Sequence, residues 1–115
     1  MIHNRLSRLP TGPSTYSMIH ADLHPRNLVV NGERLHIIDF DDAGFGWHMY
    51  ELAVGVFDFR DHPLVAETAA LLPLFLLVRT LALIGWFADR PEVAKPSAAR
   101  PLVERAIRLS AEFNL

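Results

Sequence analysis

The stretch His20-Ala21-Asp22-Leu23-His24-Pro25-Arg26-Asn27, followed after a short interval by Ile37-Ile38-Asp39-Phe40-Asp41-Asp42, decides how this chain is read. Asp22 and Asn27 lie five residues apart, and a second acid, Asp39, closes an apolar run. Between them, residues 28–30 and 35–40 are β-rich and flank Asn31-Gly32, a strong short signal for a hairpin. Such a hairpin would bring Asp39 back to Asn27, so that side chains distant in sequence meet. Pro25 keeps the preceding loop from becoming a helix.

The chemistry this order suits is phosphoryl transfer, which needs positioning and charge neutralisation more than covalent catalysis. A loop carboxylate such as Asp22 can orient an attacking hydroxyl and accept its proton. Magnesium prefers a few hard oxygen ligands from the protein with waters retained, and Asn27 and Asp39 offer a carboxamide oxygen and a carboxylate. Kinase-like phosphotransferases carry H-x-D-L-x-x-x-N and later D-F-x; His20, Asp22, Leu23 and Asn27 fill the first pattern, and Asp39 with Phe40 begins the second. Taken singly, Asp22 reads as a cap and Asn27 as a turn residue. Their order, spacing and the hairpin between them point to a site. Asp41 and Asp42 add negative potential that calls for a cation, an arginine or open solvent.

Composition narrows the classes. The chain has 115 residues, one domain by size, and half of them are hydrophobic, which excludes a disordered chain. A formal net charge of −2 with no Lys/Arg block argues against nucleic acid as a partner. The absence of cysteine removes disulfides and thiolate metal sites. No apolar segment near Met1 resembles a signal peptide, so a cytoplasmic protein is expected. Residues 71–88 are nearly all apolar and close to bilayer length, but Pro73 interrupts them and Arg79 sits at their centre. A charge there costs roughly 2.5–3.5 kcal/mol on insertion. The expectation is therefore a buried helix, with no membrane and with Arg79 paired to Glu51 or another acid.

Along the chain, residues 1–17 form a lead-in, and Met18-Ile19 suggest a brief strand feeding the H-x-D loop. The segment D-D-A-G-F-G-W reads as a glycine-punctuated loop. Met49, Leu52, Ala53, Val56 and Phe57 then recur on one face of a helix. Asp61 is a candidate N-cap before Pro63, opening a helical region to Asp89 that Pro73 kinks or divides. Residues 91–96 read as a linker. A final amphipathic helix is expected from Pro101, with Glu104, Arg105, Arg108 and Glu112 facing outward. His24, His36 and His48 have no evident partner and are read as structural or surface residues.

At the quoted motifs the chain resembles the aminoglycoside phosphotransferase family and its choline-kinase-like and homoserine-kinase-like relatives, which have a protein-kinase-like fold. Members commonly read H-G-D-L-H-x-x-N and I-D-F-D; here the text is H-A-D-L-H-P-R-N and I-I-D-F-D-D-A-G-F-G, then Y-E-L-A. The strong likeness covers about residues 18–57. It implies ATP and Mg2+ as cofactors, a small-molecule hydroxyl as acceptor, Asp22 as catalytic base, and Asn27 and Asp39 as metal ligands. Two departures fall inside it. Ala21 replaces a glycine and would be strained at positive φ, and Glu51 stands where aspartate is more usual. Members also carry an N-terminal lobe that grips the ATP phosphates with a lysine. Only about 20 residues precede Asp22, and the sole lysine, Lys95, lies downstream.

The resulting expectation is an α+β fold: a kinase-like C-terminal lobe with one β-hairpin packed on a mainly α-helical bundle. Residues 1–115 would be a single partial domain, with 1–17 as lead-in, 18–48 as catalytic loop, hairpin and metal loop, and 49–115 as helices. The leading functional reading is a phosphotransferase lobe that needs a separate N-lobe, weak or inactive alone and able to self-associate. A non-catalytic leftover lobe acting as a binding module is the second. The third is a metal-dependent hydrolase built on His20, Asp22 and His24.

Overall fold

The computed structural model describes residues 2–93 and 95–114. Its elements run α1 (Ile2–Leu6), β1 (Tyr16–Ile19), β2 (Leu28–Asn31), β3 (Arg34–Ile37), β4 (Gly44–Trp47), α2 (His48–Val56), α3 (Pro63–Thr68), α4 (Leu72–Ala88) and α5 (Pro96–Glu112). The expected hairpin is β2–β3, antiparallel from Leu28 opposite Ile37 to Asn31 opposite Arg34. Gly32, at φ 62°, takes the first turn position, where a left-handed backbone suits glycine.

A second antiparallel ribbon pairs β1 with β4, Tyr16 opposite Trp47 and Ile19 opposite Gly44. The stretch read as a loop thus contains a strand. Two glycines in four residues weaken local strand propensity, so only the partner reveals it. Gly46 leaves room for Ile19: a Cβ there would lie 2.7 Å from Ile19 Cδ1, so a larger residue would oblige that side chain to move. Pro25 does not exclude helical backbone altogether, for it opens a single 3-10 turn from Pro25 to Asn27, where a missing N–H costs nothing.

The core is organised around α4. Leu72, Leu74, Phe75, Leu76, Leu77 and Thr80 are all buried. One side, with Leu72, Phe75 and Leu76, packs against Ala53 of α2 and Phe57; another, with Leu77, meets Ala106 and Leu109 of α5. A helix apolar on both sides belongs between two others rather than at the surface, which explains its uniform sequence. The Thr80 hydroxyl donates to the Leu76 carbonyl at 2.7 Å, so its burial leaves no hydroxyl unpaired. No helix among the described residues is long and apolar enough to cross a membrane.

Several local expectations shift. The helical region divides just before Pro73, and α3 is capped by His62, not Asp61: the His62 ring accepts the Leu64 N–H. Helix α5 begins at Pro96 and carries Pro101 inside it; of the expected linker, Ala94 lies outside the described residues. On α2, Val54 is buried while Leu52 is exposed, because the face turned to the core is the one carrying Ala53 and Val54; a 3-10 turn (Phe57–Phe59) follows the helix. The lead-in contains helix α1, anchored where Arg5 donates to the Phe113 carbonyl at 2.8 Å.

Arg105, expected to face outward, is buried and pairs with Asp61 at 2.6 Å. The hydrogen bond from Arg105 holds the Asp61 carboxyl below the usual aspartate range. A carboxyl whose pKa is depressed by folding adds stability that is complete above its unfolded value and is lost as pH falls through the folded one. Asp61 is itself largely exposed, so the effect is modest. Unfolding followed against pH should show Asp61→Asn modestly destabilised at neutral pH, with the difference from the parent shrinking as pH falls through and below the ordinary aspartate range, so that the acid limb is flatter.

Candidate active site

The loop between β1 and the 3-10 turn is held by an acid from α2. Glu51 accepts the backbone N–H of His20 at 2.6 Å through Oε2 and that of Ala21 at 3.2 Å through Oε1. Glu51 therefore serves the loop backbone and is not the partner of Arg79. Ala21 adopts φ 68°, the left-handed conformation that the family's glycine accommodates without strain. His20 is buried beneath: its Nδ1 accepts the Asp22 N–H at 3.2 Å and its Nε2 meets the Ile38 carbonyl at 2.8 Å. A carbonyl can only accept, so Nε2 carries the proton and the ring is neutral at Nδ1. Both nitrogens are engaged by backbone. His20 thus bridges the Asp22 loop to the strand end before Asp39, and it has no lone pair left to join His24 around a metal.

Asp22 is the most contacted side chain of the site. Arg79 of α4 donates through Nη2 to its Oδ1 at 2.6 Å. Its Oδ2 accepts from Asn27 Nδ2 at 3.2 Å and lies 3.3 Å from His24 Nε2. Asn27, also buried, donates from the same nitrogen to the Asp22 carbonyl at 2.8 Å, which leaves its amide oxygen for another partner. The Asn27 carbonyl accepts the Ile38 N–H at 3.0 Å, extending the β2–β3 ladder to the residue before Asp39. Asp39 leaves the strand at φ 60°, a conformation aspartate tolerates better than most residues, and its Oδ1 accepts the Asp41 N–H at 3.4 Å. Asp22 and Asp39 line one open cleft of about 780 Å³, with Arg79, Trp86 and Phe87 on its α4 side and Asp41 and Asp42 on its loop side.

Of the residues the sequence singled out, Asn27 touches Asp22, and Asp39 lines the same cleft as Asp22. Sequence reasoning missed the roles of His24 and Arg79 toward Asp22. The i+2 spacing of Asp22 and His24 was a usable signal for the first. For Arg79 the signal was only a lone charge in an apolar helix, which demanded an acid without saying which. Among the described residues no three His, Cys, Asp or Glu side chains could hold a metal by themselves. Asn27 and Asp39 are the candidates to hold one: an amide oxygen not engaged by Asp22 and a carboxylate are hard donors of the type magnesium takes when phosphates and water complete its shell.

Residues 2–94 match the phosphotransferase enzyme family. The chain belongs to that family. Amicoumacin kinase of Bacillus subtilis (strain 168) is 32% identical over 62 residues, 54% of this chain and 18% of that protein. Among solved structures, a microcompartment-associated aminopropanol kinase superposes with a TM-score of 0.69 at 30% identity, over 96% of this chain and 40% of that one. The amicoumacin kinase hAmiN, in complex with AMP-PNP, Ca2+ and Ami, shares the fold with a TM-score of 0.72 at 17% identity, over 96% of this chain and 42% of its own. The chain therefore spans about two-fifths of those solved kinases and under a fifth of the curated relative. Its relatives are kinases of small molecules, and its mixture of helices with small antiparallel ribbons is that of a kinase-like C-terminal lobe.

Ala21 makes this site testable without any assay of turnover. A left-handed non-glycine residue costs roughly 1–2 kcal/mol, against which glycine loses about 0.5–1 kcal/mol to chain entropy. Urea unfolding should show Ala21→Gly stabilised by up to about 1 kcal/mol, whereas Glu51→Ala, which strands two loop N–H groups, should cost on the order of 1–3 kcal/mol. A destabilised Ala21→Gly would mean that the loop is not strained.

Proposed function

We propose that this chain is the C-terminal lobe of an ATP-dependent phosphotransferase acting on the hydroxyl of a small molecule, with Asp22 as catalytic base. The observation that supports the reading is the clasp in which the Asn27 carbonyl accepts the Ile38 N–H and His20 links Ile38 to Asp22, with Asp22 and Asp39 both lining one cleft. In this mechanism the acceptor hydroxyl lies against Asp22, whose carboxylate orients it and takes its proton. The acceptor oxygen bonds to the γ-phosphorus while the bond from that phosphorus to the departing ADP oxygen breaks. Asn27 and Asp39 would hold Mg2+, which when bound with the nucleotide supplies neutralisation of phosphate charge. Asp41 and Asp42 have no ion pair among the described residues and face the same cleft, so an amino alcohol, with its ammonium near these acids, is the acceptor class that suits it.

The ribbons support a need for a partner. Met18, Val30, Leu35, Phe40 and Phe45 are each at least 60% exposed, an apolar surface that a nucleotide-binding N-lobe would cover. Nothing among the described residues offers a lysine for the phosphates from above; Lys95, the only lysine, lies at the start of α5.

The purified chain alone should show weak Mg·ATP binding by titration calorimetry and little or no phosphorylation of amino alcohols, and it should bind a hydrophobic dye. Joined to the N-lobe of the aminopropanol kinase it should turn over. There Asp22→Asn should lower kcat by at least about 100-fold, within the range expected for loss of a general base. Robust turnover by the chain alone, indifferent to Asp22→Asn, would sink both the base and the missing-lobe reading.

A further inference from the structure

We propose that Arg79 is a positioning residue for Asp22, so that the helix lining the acceptor side of the cleft also sets the geometry of the base. The inference deepens the phosphotransferase reading and rests on it. Arg79 reaches Asp22 across 57 positions of sequence at 2.6 Å. Its grip on Oδ1 opposes that of Asn27 and His24 on Oδ2, and a carboxylate held at both oxygens from different elements has little freedom about its terminal torsion. Oδ1, held by Arg79 alone, keeps a lone pair for a hydroxyl.

The anchor is rigid. Leu76, Leu77 and Thr80 beside Arg79 are buried, Leu77 and Thr80 completely, so α4 cannot shift without opening the core. Later on the same helix, Ala82, Leu83, Trp86 and Phe87 line the cleft. Contact with the acceptor and orientation of the base therefore share one element.

A purely structural ion pair explains the site less well. The Arg79 Nε is buried with no hydrogen-bond partner among the described residues, as is that of Arg105 in its pair with Asp61; what sets the Arg79 pair apart is that both its arginine and its acid line the cleft. Removing such a pair in favour of apolar side chains is often neutral or stabilising. The planar guanidinium, unlike a lysine ammonium, fixes the direction of its hydrogen bond, which is what orienting a carboxylate requires.

The test combines a spectrum of the chain with kinetics of the chain joined to the aminopropanol kinase N-lobe. In 15N-labelled chain the Arg79 Nη groups should resolve separately through restricted rotation and should average in Asp22→Asn. In the joined enzyme, Arg79→Met, which keeps the buried stem, and Arg79→Ala should lower kcat about 100-fold, the cost of misplacing a reacting group by about 1 Å, with KM for ATP unchanged. Methylguanidinium should restore much of the rate to Arg79→Ala and none to Asp22→Asn. Arg79→Lys should recover only in part. An Arg79→Met enzyme that keeps its kcat, or loses only KM, overturns the role of Arg79 while leaving the phosphotransferase reading intact. A wild-type joined enzyme without turnover overturns that reading and the role with it, and the spectrum then shows whether the contact itself was right.

Discussion

Two backbone N–H groups, those of His20 and Ala21, point into the bundle and are met by the single carboxylate of Glu51. The arrangement of the site depends on this contact. Buried amide protons without a partner would cost about 1–3 kcal/mol each, and the left-handed turn at Ala21 has no strand neighbour to absorb them. With Glu51 in place, β1 ends where it must, His20 is driven beneath the loop, and Asp22 emerges into the cleft. The longer glutamate in place of aspartate still allows one oxygen for each N–H.

The same contact settles how charge is shared. Glu51 is committed to the backbone, so the arginine that α4 carries among its apolar residues finds Asp22 instead. The cost of holding Arg79 partly buried is thus met by the carboxylate proposed to do chemistry, not by a spectator. Arg105 finds Asp61 at the far end of the bundle, and the acids of the metal loop are left facing the cleft.

Much of the site was legible because its parts are local in sequence. The H-x-D-L-x-x-x-N spacing, the Asn31-Gly32 turn and the apolar run into Asp39 each follow from short-range rules, and Pro73 in an otherwise apolar run marks the division between α3 and α4. Strand β4 was not legible, since glycines at 44 and 46 suppress the alternation that reveals strands and the pairing with β1 is non-local. Arg105 misled for a related reason: its place on the polar face of an amphipathic pattern says nothing of an aspartate from another loop that draws it inward.

By itself, then, the sequence determined the family to which the chain belongs and the candidates for its chemistry, because two acids and an amide on either side of a hairpin need only local geometry to be recognised. It also determined that the start of the apolar run would be interior, and Leu72 to Thr80 carry the buried residues of α4. The expectation of burial fails for the second half, where Leu81, Ala82 and Trp86 are exposed, the last two beside the open cleft. Only the tertiary structure decided which acid answers which cation. The two Glu51 oxygens accept the N–H groups of His20 and Ala21, and Asp22 is the acid that Arg79 reaches. Pairing of that kind depends on the meeting of α2, α4 and the loop in space, which no short-range pattern of residues specifies.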